Sequence, residues 1–324
     1  MKRFGALALV VVLAAALAAP SELAAQQRRL VTIASGWVVG VYYPLAGAMS
    51  RIAYKAKDLN VRATVESSGA SVANAQLIGT GDADFALLQN DIAYYAASGR
   101  TLGAFKDKPV KNMGGIFTIY PELVHIVAAS SANVKSVRDL KGKRVVLGPQ
   151  GSGTEQNALQ ILEAYGIKEA DLAKAERIDA AAAGDQLKDG RVDAAFFTTG
   201  LGSAVIVDAF ISGRVTLVSV GGAEGDAIRK AYPFYTLEKI PANTYKGQES
   251  VVTTPAVMAM MVARAELPED LVYRFTKAIF DDLKQFHAAH AAAKHLTLET
   301  ALNGMPIKLH PGAEKFYKEK GVLK

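Results

Sequence analysis

Two stretches of the chain, QLIGTGDADFA (Gln76–Ala86) and QLKDGRVDAAF (Gln186–Phe196), carry the same order of signals. Each is a helix end, then a glycine, then an apolar run that reads as a strand buried on both faces. The order occurs twice and at no short fixed period, so it predicts two similar lobes and not a solenoid. Each stretch lies within a strand–helix–strand alternation. In the first, RRLVTIASG reads as a strand ending at Gly36, and Pro44 opens a helix, where its missing N–H costs nothing. Leu45, Ala48, Met49, Ile52 and Ala53 fall on one face of that helix. VRATVES is the next strand, SGASVANAQLIGTG a helix stopped at Gly81, and ADFALLQ a third strand. In the second, RVVLG is a strand, Thr154 to Tyr165 a helix closed by Gly166, and RVDAAFF another strand.

After these come PAVMAMMVARAEL, a strand following Pro255, and a long amphipathic helix from Pro268 through Phe286. The closing helical segment is PGAEKFYKEKG. The expectation is an α/β fold with a largely parallel sheet. Some 324 residues are too many for one ordinary core. The chain therefore divides into lobe I, residues 26–124 and 253–324, and lobe II, residues 125–252. Two crossings between the lobes leave a cleft, with hinge closure over a ligand as the expected motion.

The first 25 residues have a separate logic. Lys2 and Arg3 precede an apolar run from Phe4 to Ala19, Pro20 breaks it, and small residues end at Ala24-Ala25. This is the layout of a secretory signal peptide, with cleavage after Ala25 and Ala18 as the second choice. The run is shorter than the ~20 residues of a spanning helix. Cysteine is absent, which removes disulfides, thiolate metal sites, a cysteine nucleophile and lipid attachment to a cysteine. A soluble periplasmic protein, monomeric, is expected. Removing the leader takes Lys2, Arg3 and Glu22 from 37 basic and 31 acidic residues, so the net charge falls from +6 to +5. The basic residues are scattered and not interleaved with aromatics. No nucleic-acid partner is expected, only mild attraction for small anions.

The most informative loop is GPQGSGT, Gly148–Thr154, between a strand and a helix. A phosphate loop would need a lysine, and a dinucleotide turn would need glycine where Gln156 stands. Both readings fail. What remains is a helix start with unpaired amides and a favourable dipole, flanked by Gln150, Ser152, Gly153 and Thr154. Such a nest suits one carboxylate. Equally, Ser152 or Thr154 can simply cap the helix. Other polar loops stand at matching ends: Ser35, Gly36, Trp37, Tyr42 and Tyr43; Ser71 and Asn74; Gln89, Asn90 and Asp91. In open α/β sheets ligands bind beyond the carboxyl ends of strands. One of the two tyrosines is expected in the core and the other with its hydroxyl in the cleft.

These segments carry a resemblance. VTIASGWVVGVYYPLAGAMS, VESSGASVANAQLIGTGDADFALLQND, GGIFTIYPELVHIVA, DLKGKRVVLGPQGSGTEQNALQILEAYG, DGRVDAAFFTTG, IPANTYKGQ and LHPGAEKFYKEKG resemble, in order, the TAXI branch of solute-binding proteins of tripartite ATP-independent periplasmic (TRAP) transporters. The resemblance implies a two-lobed type II periplasmic binding protein fold. It also implies a small carboxylate or amino-acid ligand, glutamate-like ones included, and delivery to TRAP membrane permease subunits. The loops at Ser35 to Tyr43, Ser71 and Asn74, Gln89 to Asp91, and Gln150 to Thr154 would then line the cleft. Ser35, Val39 and Val41 depart from the family's usual threonine, glycine and threonine, and Trp37 adds bulk.

An enzyme would need a poised acid, base, nucleophile or metal. His287, His290 and His295 have no carboxylate nearby to complete a metal shell, and Asp281-Asp282 reads as a solvated helix face. His125 is expected buried with a satisfied ring nitrogen, and His310 structural. No catalytic residue, metal or cofactor is expected. A periplasmic sensor presenting its solute to a signalling receptor is the alternative, because uptake and sensing use the same closed liganded form.

Overall fold

The computed structural model describes residues 28–99 and 104–324, so the leader expected at residues 1–25 lies outside the described residues. Ten strands form one continuous sheet: β1 (Arg29–Ala34), β2 (Val61–Glu66), β3 (Phe85–Gln89), β4 (Met113–Ala129), β5 (Arg144–Val146), β6 (Lys174–Glu176), β7 (Ala194–Thr199), β8 (Val215–Val218), β9 (Thr236–Ile240) and β10 (Val252–Arg264). Their order is β2-β1-β3-β10-β4-β7-β5-β6, with β8 paired to β4 and β9 to β10. The pairs β1–β2, β1–β3, β5–β6 and β5–β7 are parallel, as the alternation predicts.

The two crossings are different. β4 and β10 pair with each other antiparallel; β10 also pairs with β3 and β4 with β7, so the two long strands together join the parallel groups. β4 runs for 17 residues through Pro121, which has no N–H for a ladder. The register with β10 shifts beside it, where Ala259 faces Tyr120 and Met260 faces Thr118, so Ile119 is skipped as a bulge. A proline that would break an ordinary strand is accommodated next to that irregularity. β10 likewise begins before Pro255, at Val252.

Helices cover both faces of each parallel group. In the first, α1 (Tyr42–Lys55) begins two residues ahead of Pro44 and buries Leu45, Ala48, Met49, Ile52 and Ala53, the face its periodicity selects. It packs with the helix Glu269–Asp281 and the closing helix Pro311–Glu319 in one core. On the other face, α2 (Ser71–Thr80) and α3 (Asn90–Ser98) enclose Val72, Ile78, Leu88 and Ile92. Two further cores lie on either side of the second group, one of them under α4 (Gly153–Ala164). The amphipathic helix from Pro268 does not continue through Phe286. It ends at Asp281, and the Asp282 carboxylate accepts the Gln285 amide at 3.2 Å to start a new short turn.

The repeated sequence signal is a repeated structure. Gly81 and Gly190 both adopt left-handed φ, 84° and 68°, as each helix stops. Three residues later Asp84 accepts the Thr32 amide of the neighbouring β1 at 3.0 Å, and Asp193 accepts the Arg144 amide of the neighbouring β5 at 2.7 Å. Each aspartate also holds an arginine, Arg264 and Arg144 respectively. Each lobe thus fixes the entry of its buried strand with the same carboxylate.

Candidate functional site

The carboxyl ends of β1, β3 and β7 converge on the start of α4, and a cavity lies between them. The space between them is nearly closed, with a cavity volume of about 20 Å³, roughly the room of one water. From the first loop come Gly36, Trp37 and Tyr42, from α2 comes Ser71, from β3 Gln89, and from across the cleft Gly153 and Thr154. The other expected site residues stand behind this lining. Ser35 donates to the Glu66 carbonyl at 2.7 Å, and Asn74 donates to the carbonyls of Ser35 and Leu87, both at 2.6 Å. Asn90 ties Gly304 O and Met258 N, while Tyr43 is half-buried and Gln150 exposed.

The glycine loop divides its labour. Ser152 is the cap of α4, its hydroxyl accepting the Glu155 amide at 3.1 Å. Glu155 reaches back to the Gly151 amide at 2.9 Å and is held from behind by Arg177 at 2.5 Å. That is the Ser-x-x-Glu spacing of a capping box, with the carboxylate serving the amide one residue earlier. Gly153 and Thr154, the first residues of α4, line the cavity. Thr154 Oγ1 accepts the Thr198 amide at 3.0 Å, which leaves its proton free to donate.

Sequence reasoning missed Ala70, Glu122, Thr198 and Thr199, all of which line the cavity, whereas Gly40 and Val41 belong to the expected loop from Ser35 to Tyr43. Thr198-Thr199 ends a buried strand, the position where ligand residues are expected. Ala70 has φ 70° and ψ −142°, a conformation close to the region reserved for glycine and costing about 1–3 kcal/mol. Glu122 is the one acidic residue in the otherwise uncharged 17-residue run of β4. It is 3% exposed, and the Tyr42 hydroxyl donates to it at 2.5 Å. Tyr42 is therefore both the core tyrosine and the cleft tyrosine. Tyr120 is also buried beside the carboxylate, close enough to feel its charge but outside hydrogen-bond geometry.

Several buried polar atoms have no partner among the described residues, and three of them belong to this lining: Trp37 Nε1, Gln89 Oε1 and Thr198 Oγ1. Such groups are costly unless something bonds them. The two sides also touch. Ala73 N donates to Gly151 O at 3.1 Å, Asn157 donates to Asp91 at 3.2 Å, and Ser203 donates to Val39 O at 3.3 Å. Trp37 and Val39, where the first loop departs from the TAXI pattern, pack against the apolar core across the cleft.

Burial pushes Glu122 up to about 8; the Tyr42 hydrogen bond opposes this and the nearby Asp91 charge adds to it. Burial likewise pushes Asp91 up to about 7, against hydrogen bonds from the Ile92 amide and Asn157. His125 is buried, its Nδ1 donating to Leu123 O and its Nε2 accepting from Tyr245, and burial lowers it to about 4. His310 and His290 are also lowered by burial, and each caps a helical turn. His287 is bonded to the Leu296 carbonyl. These shifts fix a sign. The two acids hold protons in the fold that the unfolded chain has lost, so their contribution falls as pH rises towards 8. The histidines act oppositely, but only below the unfolded histidine value of about 6.5. Stability to urea is expected to drop by about 1–2 kcal/mol between pH 6.5 and 8. Glu122→Gln should flatten that slope, and an unchanged slope in the variant would remove Glu122 as its source.

A cleft closed between two α/β lobes that share two crossing strands is the two-lobed type II periplasmic binding protein fold. The chain belongs to the NMT1-like family, whose model it matches over residues 33–321. Among solved structures it is similar to PhnD1 from Prochlorococcus marinus in complex with methylphosphonate, at 12% identity and TM-score 0.57, covering 91% of this chain and 96% of that one. It is similar at 13% identity and TM-score 0.57 to the periplasmic binding protein BugD, covering 90% and 95%. A binding-protein component of an ABC phosphonate transporter from Pseudomonas aeruginosa matches at 11% identity and TM-score 0.51, covering 82% and 79%.

Proposed function

We propose that this chain is an exported, periplasmic solute-binding protein that captures a small carboxylate or amino acid and hands it to a TRAP-type permease. The observation that carries this reading is the convergence on one small cavity of the α4 start, Thr154, and the unpartnered Gln89 and Thr198 side chains. Helix-start amides and hydroxyls suit one anionic end of a ligand. The residue pattern of the TAXI branch supports the permease assignment and the ligand class. The lobes are taken as residues 26–124 with 253–324, and 125–252, so that both crossings act as the hinge. No catalytic role is assigned to any residue.

A thermal-shift panel of carboxylates, amino acids, methylphosphonate and alkanesulfonates tests the ligand class. A ligand at 100 times its Kd should stabilise the fold by ~2.7 kcal/mol. A response confined to phosphonates or sulfonates would replace the carboxylate reading. Uptake in reconstituted vesicles driven by an ion gradient, and not by ATP, tests the permease type.

The loop yields a paired prediction. Thr154→Ala removes a donor to a charged group, worth ~1.5–3 kcal/mol, so affinity should fall about ten- to a hundredfold. It also strips the Thr198 amide of its acceptor, so urea stability should fall too. Ser152→Ala should cost ~1 kcal/mol of stability through the lost cap while leaving affinity nearly intact. Calorimetric titration and urea unfolding of both variants separate the two duties. Equal affinity loss in both would return the loop to a purely structural role.

A further inference from the structure

Nothing described so far assigns a purpose to Glu122. It is a carboxylate, 3% exposed, set in the wall of the same cavity that the start of α4 and the hydroxyl residues Ser71, Thr154 and Thr198 line. An anion receptor that buried a carboxylate beside its ligand would repel the ligand. Nor does the protein neutralise it: no lysine or arginine is among the described residues lining the cavity. Its neighbours are the phenols of Tyr42 and Tyr120 and, further off, the second buried acid Asp91. A buried acid without a cation either keeps its proton or waits for a positive charge from outside. Tyr42 spends its own proton on Glu122, which fixes the carboxyl in place and leaves its second oxygen as the available acceptor.

We propose that Glu122 is the specificity-determining residue of the cavity: it takes the cationic nitrogen of the ligand, exchanging its own proton for that charge, while the start of α4 takes the ligand's anionic end. This rests on the solute-receptor reading above and narrows it to ligands that carry both charges. The step is an ion exchange and breaks no bond in the ligand. The ammonium arrives protonated, the carboxyl releases its proton to solvent, and the buried pair that results is neutral overall. A purely anionic ligand would meet either a protonated carboxyl, with one hydrogen bond to give, or a repelling carboxylate.

The test uses pairs of compounds that differ only in the amino nitrogen, L-glutamate with glutarate and L-leucine with 4-methylpentanoate, titrated calorimetrically into the mature protein. The member of a pair with the nitrogen is expected to bind at least tenfold more tightly. At pH 7, titrations in buffers of different ionisation enthalpy should report release approaching one proton per ligand, because the free carboxyl starts protonated. In Glu122→Gln, which keeps the shape and an acceptor for Tyr42, both the preference and the proton release should disappear. Thr154→Ala should weaken both members of a pair alike. Equal or tighter binding of the deaminated member, or no proton release in the unsubstituted protein, overturns the assignment even if the variant fails to fold. Binding of neither member of either pair, with a response elsewhere in the panel, overturns the carboxylate receptor itself and this inference with it.

Discussion

Gly153→Ala is expected to reduce ligand affinity by a hundredfold or more while leaving the fold intact. A Cβ at position 153 would stand 2.0 Å from Gln89 Oε1 and 2.3 Å from its Cδ. The obstruction is the far end of a side chain and not backbone, so the protein can relieve it by turning Gln89 aside. Every direction open to Gln89 on the cavity side uses space meant for the ligand, since both residues line it. The alternative relief, parting the two sides, breaks contacts such as Ala73 N to Gly151 O. A hundredfold loss corresponds to ~2.7 kcal/mol, within reach of an overpacked site. Urea stability of the free protein should change by no more than about 1–2 kcal/mol. The double variant Gly153→Ala with Gln89→Ala should recover part of the affinity, since the second change removes the obstruction. Unaltered binding in the single variant would mean that Gly153 does not face the ligand.

Gly312→Ala should have the larger effect on stability. Here the added Cβ meets backbone: 2.3 Å to Glu269 O and 2.5 Å to Tyr273 N, with Val272 Cβ at 3.0 Å. Gly312 lies in the first turn of the closing helix, packed on the start of the helix Glu269–Asp281. Neither helix can yield at that point without both shifting against the core that holds Phe275 and Phe316. The expected cost is about 3 kcal/mol, lowering Tm by roughly 6 °C. Gly47→Ala, on a helix where only the flexible Arg51 side chain comes within 4 Å, is the control. It should stabilise by ~1 kcal/mol through helix propensity alone. If the two alanines behaved alike in thermal unfolding, the close helix contact would carry no weight.

Local signals made much of this legible in the sequence. The α1 face and the glycine stops at Gly81 and Gly190 are short-range, set by periodicity and by φ, and the parallel pairs follow from the strand–helix–strand alternation. The two crossings were expected, but their form as long antiparallel strands was not. Pro121 and Glu122 interrupt the apolar run of β4, and the bulge that accommodates the proline depends on a partner more than 130 residues away. The helix break at Asp282 and the start of β10 ahead of Pro255 are of the same kind, decided by a side-chain cap and by tertiary neighbours. In the cavity, loops at strand ends announced themselves through glycine, serine and threonine. Glu122 did not, because a lone acid in an apolar segment shows its place only once the strands on either side are known. Polar residues such as Asn74 and Asn90 have the composition of ligand contacts and spend it on backbone carbonyls and amides.

The position of β10 bears on how such a chain is made. It lies between β3 and β4, at the centre of the sheet, yet it is the last strand to be synthesised. Until Val252–Arg264 has emerged, β3 and β4 each show an open edge where their neighbour belongs, and neither lobe can close its ladder. The closing helix, packed against the first lobe, comes later still. A nascent chain of this topology stays short of its native state through most of its synthesis. That is the condition in which a polypeptide can still be threaded through a narrow translocation pore.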